Sequence, residues 1–166
     1  MLDLGRTFLQ AVERDPDQLA IVDGSLRLSY REWAFHIGAV QQYFYSKGLA
    51  QGDRILTVLQ NRYEAATIHW ACQMAGIAIV PLNWRSKPEE IDYCAQNADV
   101  KLAFVEQISL NNYLDSETGK KIEVILCGDI DGTVNHKVFN ELIKIGVDPI
   151  ANGDVEDISV MLFTSG

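Results

Sequence analysis

Val160-Met161-Leu162-Phe163-Thr164-Ser165-Gly166 is the stretch of this 166-residue chain whose residue types read as a device for holding an anion. A short apolar run opens into a hydroxyl-bearing turn that contains glycine. Side-chain hydroxyls and successive backbone N–H groups can converge there on a phosphate, and glycine lets the backbone come close. Thr164, Ser165 and Gly166 are therefore the candidate phosphate-binding residues. The bland alternative is an ordinary turn. Their place directly behind an apolar, strand-like run favours the phosphate reading. Such a loop is only half written at Gly166, so the expectation is a chain that ends within the motif.

Other residues with chemical potential are fewer. Gly76 to Arg85 reads as a strand with Pro81 near its end, followed by the loop Asn83-Trp84-Arg85. Pro81 removes a ladder donor, so the sheet should end there or lie at an edge. Trp84 is expected to plug the surface and Arg85 to pair with a nearby carboxylate, with direct substrate contact as the alternative. Asp53 and Arg54 are adjacent and read as turn-stabilising. His36, His69 and His136 are dispersed, and Cys72, Cys94 and Cys127 lack the spacing of a metal knuckle. Neither a Ser–His–Asp order nor H-E-x-x-H, paired carboxylates or G-x-G-x-x-G is present. No catalytic residue and no metal ligand is assigned.

Composition narrows the setting. Apolar residues make up 48% and charged residues 22%, an ordinary globular balance. A net charge of −9 and a pI near 4.7 argue against nucleic acid and against an anionic membrane surface. No apolar run approaches the roughly twenty residues of a membrane span. The N-terminus lacks the basic start and apolar middle of a signal peptide. An odd number of scattered cysteines reads as buried reduced thiols and a cytoplasmic location.

The elements that must position the candidate loop follow from periodicity. Leu4, Phe8, Ala11 and Val12 form a helical stripe closed by Asp15-Pro16. Residues 19–23 and 26–30 flank Asp23-Gly24-Ser25 as a hairpin. Ser29 and Glu32 make a capping box for a helix whose apolar stripe is broken only by Gln41, and Gly48 suits its left-handed end. Strands are then expected at 55–59, 77–82, 101–105, 122–126 and 158–163. The helices between them carry Ala65 to Ala75 (capped by Asn61 and Glu64), Ile91 to Ala95 (opened by Ser86, Pro88 and Glu89) and Val138 to Ile143. Residues 107–116 read as a weak helix or loop. Segments 115–121 and 146–157 read as flexible.

Strands apolar at every position are covered on both faces, which means parallel strands with helical crossovers. The fold class is α/β: a doubly wound, mostly parallel sheet with helices on both faces, plus an N-terminal helix and β-hairpin. Ligands bind such sheets outside the carboxyl ends of the strands, where Thr164-Ser165-Gly166 is expected.

These segments, in this order, resemble the N-terminal part of the adenylate-forming superfamily of acyl-CoA synthetases, luciferases and peptide-synthetase adenylation domains. Leu28-Ser29-Tyr30-Arg31-Glu32-Trp33 is similar to its L-[ST]-Y-x-E-L element, with Trp33 for Leu. Gly52-Asp53-Arg54-Ile55 is similar to its G-D-x-V strand opening. Ala75-Gly76 through Pro81-Leu82-Asn83-Trp84-Arg85 resembles its A-G-x-x-x-x-P-L-N stretch in the form common in acyl-CoA ligases. Phe163-Thr164-Ser165-Gly166 resembles the start of T-S-G-T-T-G-x-P-K-G. The resemblance spans the whole chain.

What the resemblance implies is an ATP-dependent carboxylate–CoA ligase, using Mg2+ with ATP and coenzyme A as co-substrate. A carboxylate attacks ATP to give an acyl-adenylate, and the thiol of CoA then displaces AMP. Residues 1–166 would be its N-terminal subdomain, with Thr164 and Ser165 as hydroxyl donors and Gly166 permitting the turn. The rest of the loop, the nucleotide-base contacts and the mobile C-terminal domain are absent, so this piece is expected neither to adenylate nor to hold a cofactor by itself. The alternatives are a stand-alone flavodoxin-like nucleotide-binding module, which needs a finished phosphate loop at an earlier strand end, and a non-catalytic interaction domain.

Overall fold

Asp3 caps the first helix, α1 (Leu4–Arg14), by accepting the Arg6 N–H at 2.9 Å, and Asp15 ends it one residue before Pro16. The computed structural model describes residues 3–130 and 135–164. Strands β1 (Leu19–Asp23) and β2 (Leu26–Ser29) pair antiparallel around Gly24, whose φ of 55° suits glycine. Helix α2 (Tyr30–Ser46) starts with the expected box: Ser29 Oγ accepts the Glu32 N–H, and Glu32 Oε2 accepts the Ser29 N–H at 2.8 Å. The chain then alternates through β3 (Arg54–Val58), α3 (Tyr63–Ala75), β4 (Ala78–Leu82), α4 (Pro88–Ala98) and β5 (Leu102–Glu106). A 3-10 turn, α5 (Leu110–Asp115), β6 (Val124–Cys127), β7 (Lys137–Val138) and α6 (Phe139–Leu142) follow.

Strands β3 to β7 form one parallel sheet in the order β4-β3-β5-β6-β7. Its faces divide the side chains by alternation. Ile55, Ile79, Phe104 and Ile125 meet α1, α2, α3 and Phe139 on one side. Leu56, Val80, Val105 and Leu126 meet α4 and α5 on the other. Each layer is a continuous buried apolar cluster, and burying such side chains contributes about 1.5–3 kcal/mol apiece. The α/β doubly wound architecture is therefore as expected, with helices on both faces.

Several local readings need correction. Residues 158–163 do not form a buried strand. They meet β4 through one parallel bridge, Ile79 to Val160, with the Ile79 N–H donating to Ser159 O at 3.0 Å and the Met161 N–H to Ile79 O at 2.9 Å. With a neighbour on one side only, Leu162 stays 70% exposed. Helix α3 is not capped by Asn61: Arg62 holds the cap position without a side-chain bond, and Asp23, from the hairpin, accepts the Tyr63 N–H at 2.9 Å. At α4 the cap residue is Lys87, whose N–H donates to Glu90 Oε2 at 2.8 Å, while Ser86 is buried. The segments read as flexible are tied down. Asp92 accepts the N–H groups of Glu117 and Thr118, and 146–157 is held against α2 and α3. Among the described residues no helix is long and apolar enough to cross a membrane.

Candidate functional site

Because the sheet is parallel, all its carboxyl ends open on one rim. Leu82 leads there into Asn83, Val58 into Gln60, Glu106 closes β5, and Cys127 leads into Gly128. The terminal segment runs parallel to β4, so it emerges on the same side. Thr164 is exposed and borders a cleft of about 420 Å³ with Leu82, Asn83, Ser86, Glu89, Tyr93 and Phe163. Ser165 and Gly166 lie outside the described residues. The wall of the cleft is aromatic, with the Phe163 and Tyr93 rings meeting edge-on at 6.0 Å. Thr164 thus stands at the carboxyl-end rim of the sheet, on the outer side of β4.

The loop beside this cleft is rigidly held. Asn83 Oδ1 accepts the Arg85 N–H at 2.9 Å, Ser109 Oγ donates to Trp84 O at 2.7 Å, and Asn112 Nδ2 donates to Ser86 O at 3.1 Å. Arg85 does not find the expected carboxylate. Its guanidinium lies 3.8 Å from the centroid of the Trp84 ring, and among the described residues it joins no ion pair. Stacking satisfies the flat face of the cation and leaves its N–H edge exposed at the rim.

The topological switch point lies between β3 and β5, and there an ion-pair cluster bridges the strand ends. Arg62 donates to Glu106 Oε1 and to Glu64 Oε2, each at 3.2 Å. Glu106 Oε2 accepts the Gln60 N–H at 2.8 Å, and Glu64 Oε1 accepts the Gly128 N–H. Burial works against the Arg62 charge, but Glu64 and Glu106 more than offset it and hold the guanidinium above its ordinary value. A polar crevice of about 610 Å³ borders this cluster. The end of β3 therefore carries an internal ion-pair plug and no glycine-rich loop, which removes the place where a flavodoxin-like module would grip phosphate. The cluster escaped sequence reading because Arg62, Glu64 and Glu106 are linked only by the topology.

The remaining candidates stay outside the rim cleft or inert. Cys72, Cys94 and Cys127 are free and buried, and burial raises all three thiols. Burial holds His36 and His69 below the ordinary imidazole value. Asp53 and Arg54 behave as turn residues: Asp53 Oδ2 accepts the Ala50 N–H and Arg54 Nε donates to Ala98 O.

Comparison with known proteins places the chain in a family. The sequence model of the AMP-binding enzyme family matches residues 8–166. A 4-hydroxybutyrate–CoA ligase of Metallosphaera sedula is 27% identical over 161 residues, covering 90% of this chain and 29% of that protein. A salicylyl-CoA synthase/salicylate adenylyltransferase of a Streptomyces species is 34% identical over 97 residues, covering 58% of this chain and 18% of that protein. Among solved structures, an anthranilate CoA ligase in complex with anthranoyl-AMP superposes with a TM-score of 0.88 at 16% identity. It aligns with 99% of this chain, which spans 32% of that protein. The likeness to that structure speaks for the fold alone, and the chain spans less than a third of each of these proteins.

Proposed function

The chain belongs to the AMP-binding enzyme family, and from that premise we propose that it is the N-terminal α/β portion of an ATP-dependent carboxylate–CoA ligase. The main support is the parallel docking of Ser159 to Met161 against β4, which sets Thr164 at the carboxyl-end rim. The relatives named as CoA ligases and acyl-CoA synthases point the same way.

In the proposed reaction a carboxylate oxygen attacks the α-phosphorus of ATP, the bond to the β-phosphate breaks, and pyrophosphate leaves. The thiolate of CoA then attacks the acyl carbon, and AMP departs with the bonding pair. Negative charge spreads over phosphate oxygens in the first step, so aimed N–H and hydroxyl donors lower its barrier. Thr164, with Ser165 and Gly166, would supply donors and turn geometry on the pyrophosphate side. Mg2+ bound with ATP would neutralise further phosphate charge. Among the described residues no three His, Cys, Asp or Glu side chains converge, so no ligand to it is assigned to this chain. The buried free thiols favour a reducing, cytoplasmic compartment.

The test is carboxylate-dependent ATP–pyrophosphate exchange by the intact enzyme. Thr164→Ala should lower the exchange rate by about 10²-fold, the usual cost of one transition-state donor. Absence of exchange across a panel of aliphatic and aromatic acids refutes the assignment.

A further inference from the structure

The terminal segment is weakly specified by its own contacts. It has one bridge and two backbone hydrogen bonds to β4, and Val160 and Met161 are only half-buried. A parallel edge strand held so lightly can slip. A two-residue slip keeps the same side chains inward yet moves its end by ~7 Å. Something else must set the register.

The chain before it supplies that. After α6 it crosses the outer faces of α2 and α3 as a strap. Gln41, 2% exposed, grips the strap with both ends of its amide: Nε2 donates to Ile150 O at 2.6 Å and Oε1 accepts the Ile150 N–H at 2.9 Å. One turn earlier, Gly38 leaves the space in which the strap lies. A Cβ there would land on the Val147 carbonyl oxygen and 2.8 Å from Pro149 N. Met74 O then accepts the N–H groups of Asn152 and Gly153, and Gln51 Nε2 donates to Asp157 at the end of α3.

We propose that Gly38 and Gln41 are positioning residues for Thr164: they seat the strap, and the strap sets the register in which Ser159 to Met161 meets β4. Contact between Gln41 and Thr164 is not required. The link to phosphate rests on the ligase reading above; the mechanical claim does not.

Gly38→Ala and Gln41→Met separate the two. Alanine by itself favours helix α2, so damage in Gly38→Ala comes from the strap. Methionine matches the length of Gln41 and removes both hydrogen bonds. Amide exchange in the 166-residue chain should quicken at least tenfold at Ile79 and Met161 in each variant, with β3 amides unchanged. Unchanged protection at Ile79 and Met161, or equal acceleration in β3, overturns the proposal. In the intact enzyme, both variants should raise KM for ATP about tenfold while KM for the carboxylate stays within twofold; an unchanged KM for ATP overturns the positioning role. A wild-type enzyme without ATP–pyrophosphate exchange defeats the ligase reading instead, and the amide data still decide the strap.

Discussion

Replacing Arg62 with methionine should expose how much the plugged switch point contributes to the fold. The side chains of Glu64 and Glu106 are 5% and 8% exposed, against 26% for Arg62. Removing the cation leaves two near-buried carboxylates without their shared partner. Breaking a buried pair in this way costs about 3–5 kcal/mol. Water reaches Arg62, and the Gln60 and Gly128 N–H groups still serve the carboxylates, so the lower end, about 3 kcal/mol, is expected. With a urea m-value of about 2 kcal/mol/M, the midpoint should fall by about 1.5 M. Adding Glu106→Gln removes one uncompensated charge and should restore at least half of the loss. A loss under about 1 kcal/mol at neutral pH would refute the reasoning, because it would mean that solvent screens the cluster as it does surface pairs. A full loss that Glu106→Gln does not relieve would refute it too, by pointing to packing.

Thr67→Val should cost about 1–3 kcal/mol, since the buried Trp33 indole N–H, 2.9 Å from Thr67 Oγ1, would lose its acceptor. Trp33→Phe in that background should add less than it does alone, and thermal unfolding of the double-mutant cycle measures the difference. Acidification should weaken the fold in two separate windows. His36 and His69 are held below the ordinary 6.5 by burial, opposed at His36 by Glu32, so the unfolded chain binds more protons near that value and stability falls as pH drops through it. Glutamates held below 4.5, such as Glu123 beside Lys47 and Tyr43, act only lower down. Urea midpoints between about pH 7.5 and 5.5 should therefore decline, and the decline should flatten in a His36→Gln/His69→Gln variant.

Local signals read well from this sequence, and each for a local reason. The capping box at Ser29 and Glu32 needs only residues one turn apart, and Gly76, with φ of 67°, ends α3 by its own backbone freedom. Runs such as Leu102 to Val105 announced two covered faces because every position is apolar. Reading failed where the partner is remote in sequence. The N–H at the start of α3 is served by Asp23, and Arg62 meets Glu106 only because β3 and β5 are neighbours. The two-residue β7 is too short to show a period.

The terminal run shows how the same apolar signal can mislead. Val160 to Phe163 is more apolar than β3, yet β3 has strands on both sides and this segment has one bridge. Composition reports what a strand could bury, and neighbours decide what it does bury. Gln41 carried the complementary hint, a polar break in an otherwise apolar helical stripe. Its partner Ile150 is 109 positions away, so the hint could mark a contact without naming it. The hydroxyl at Thr164 therefore owes its place less to the strand that carries it than to a glycine and a glutamine on α2. That division of labour makes the site's geometry testable on the scaffold, apart from any chemistry at the rim.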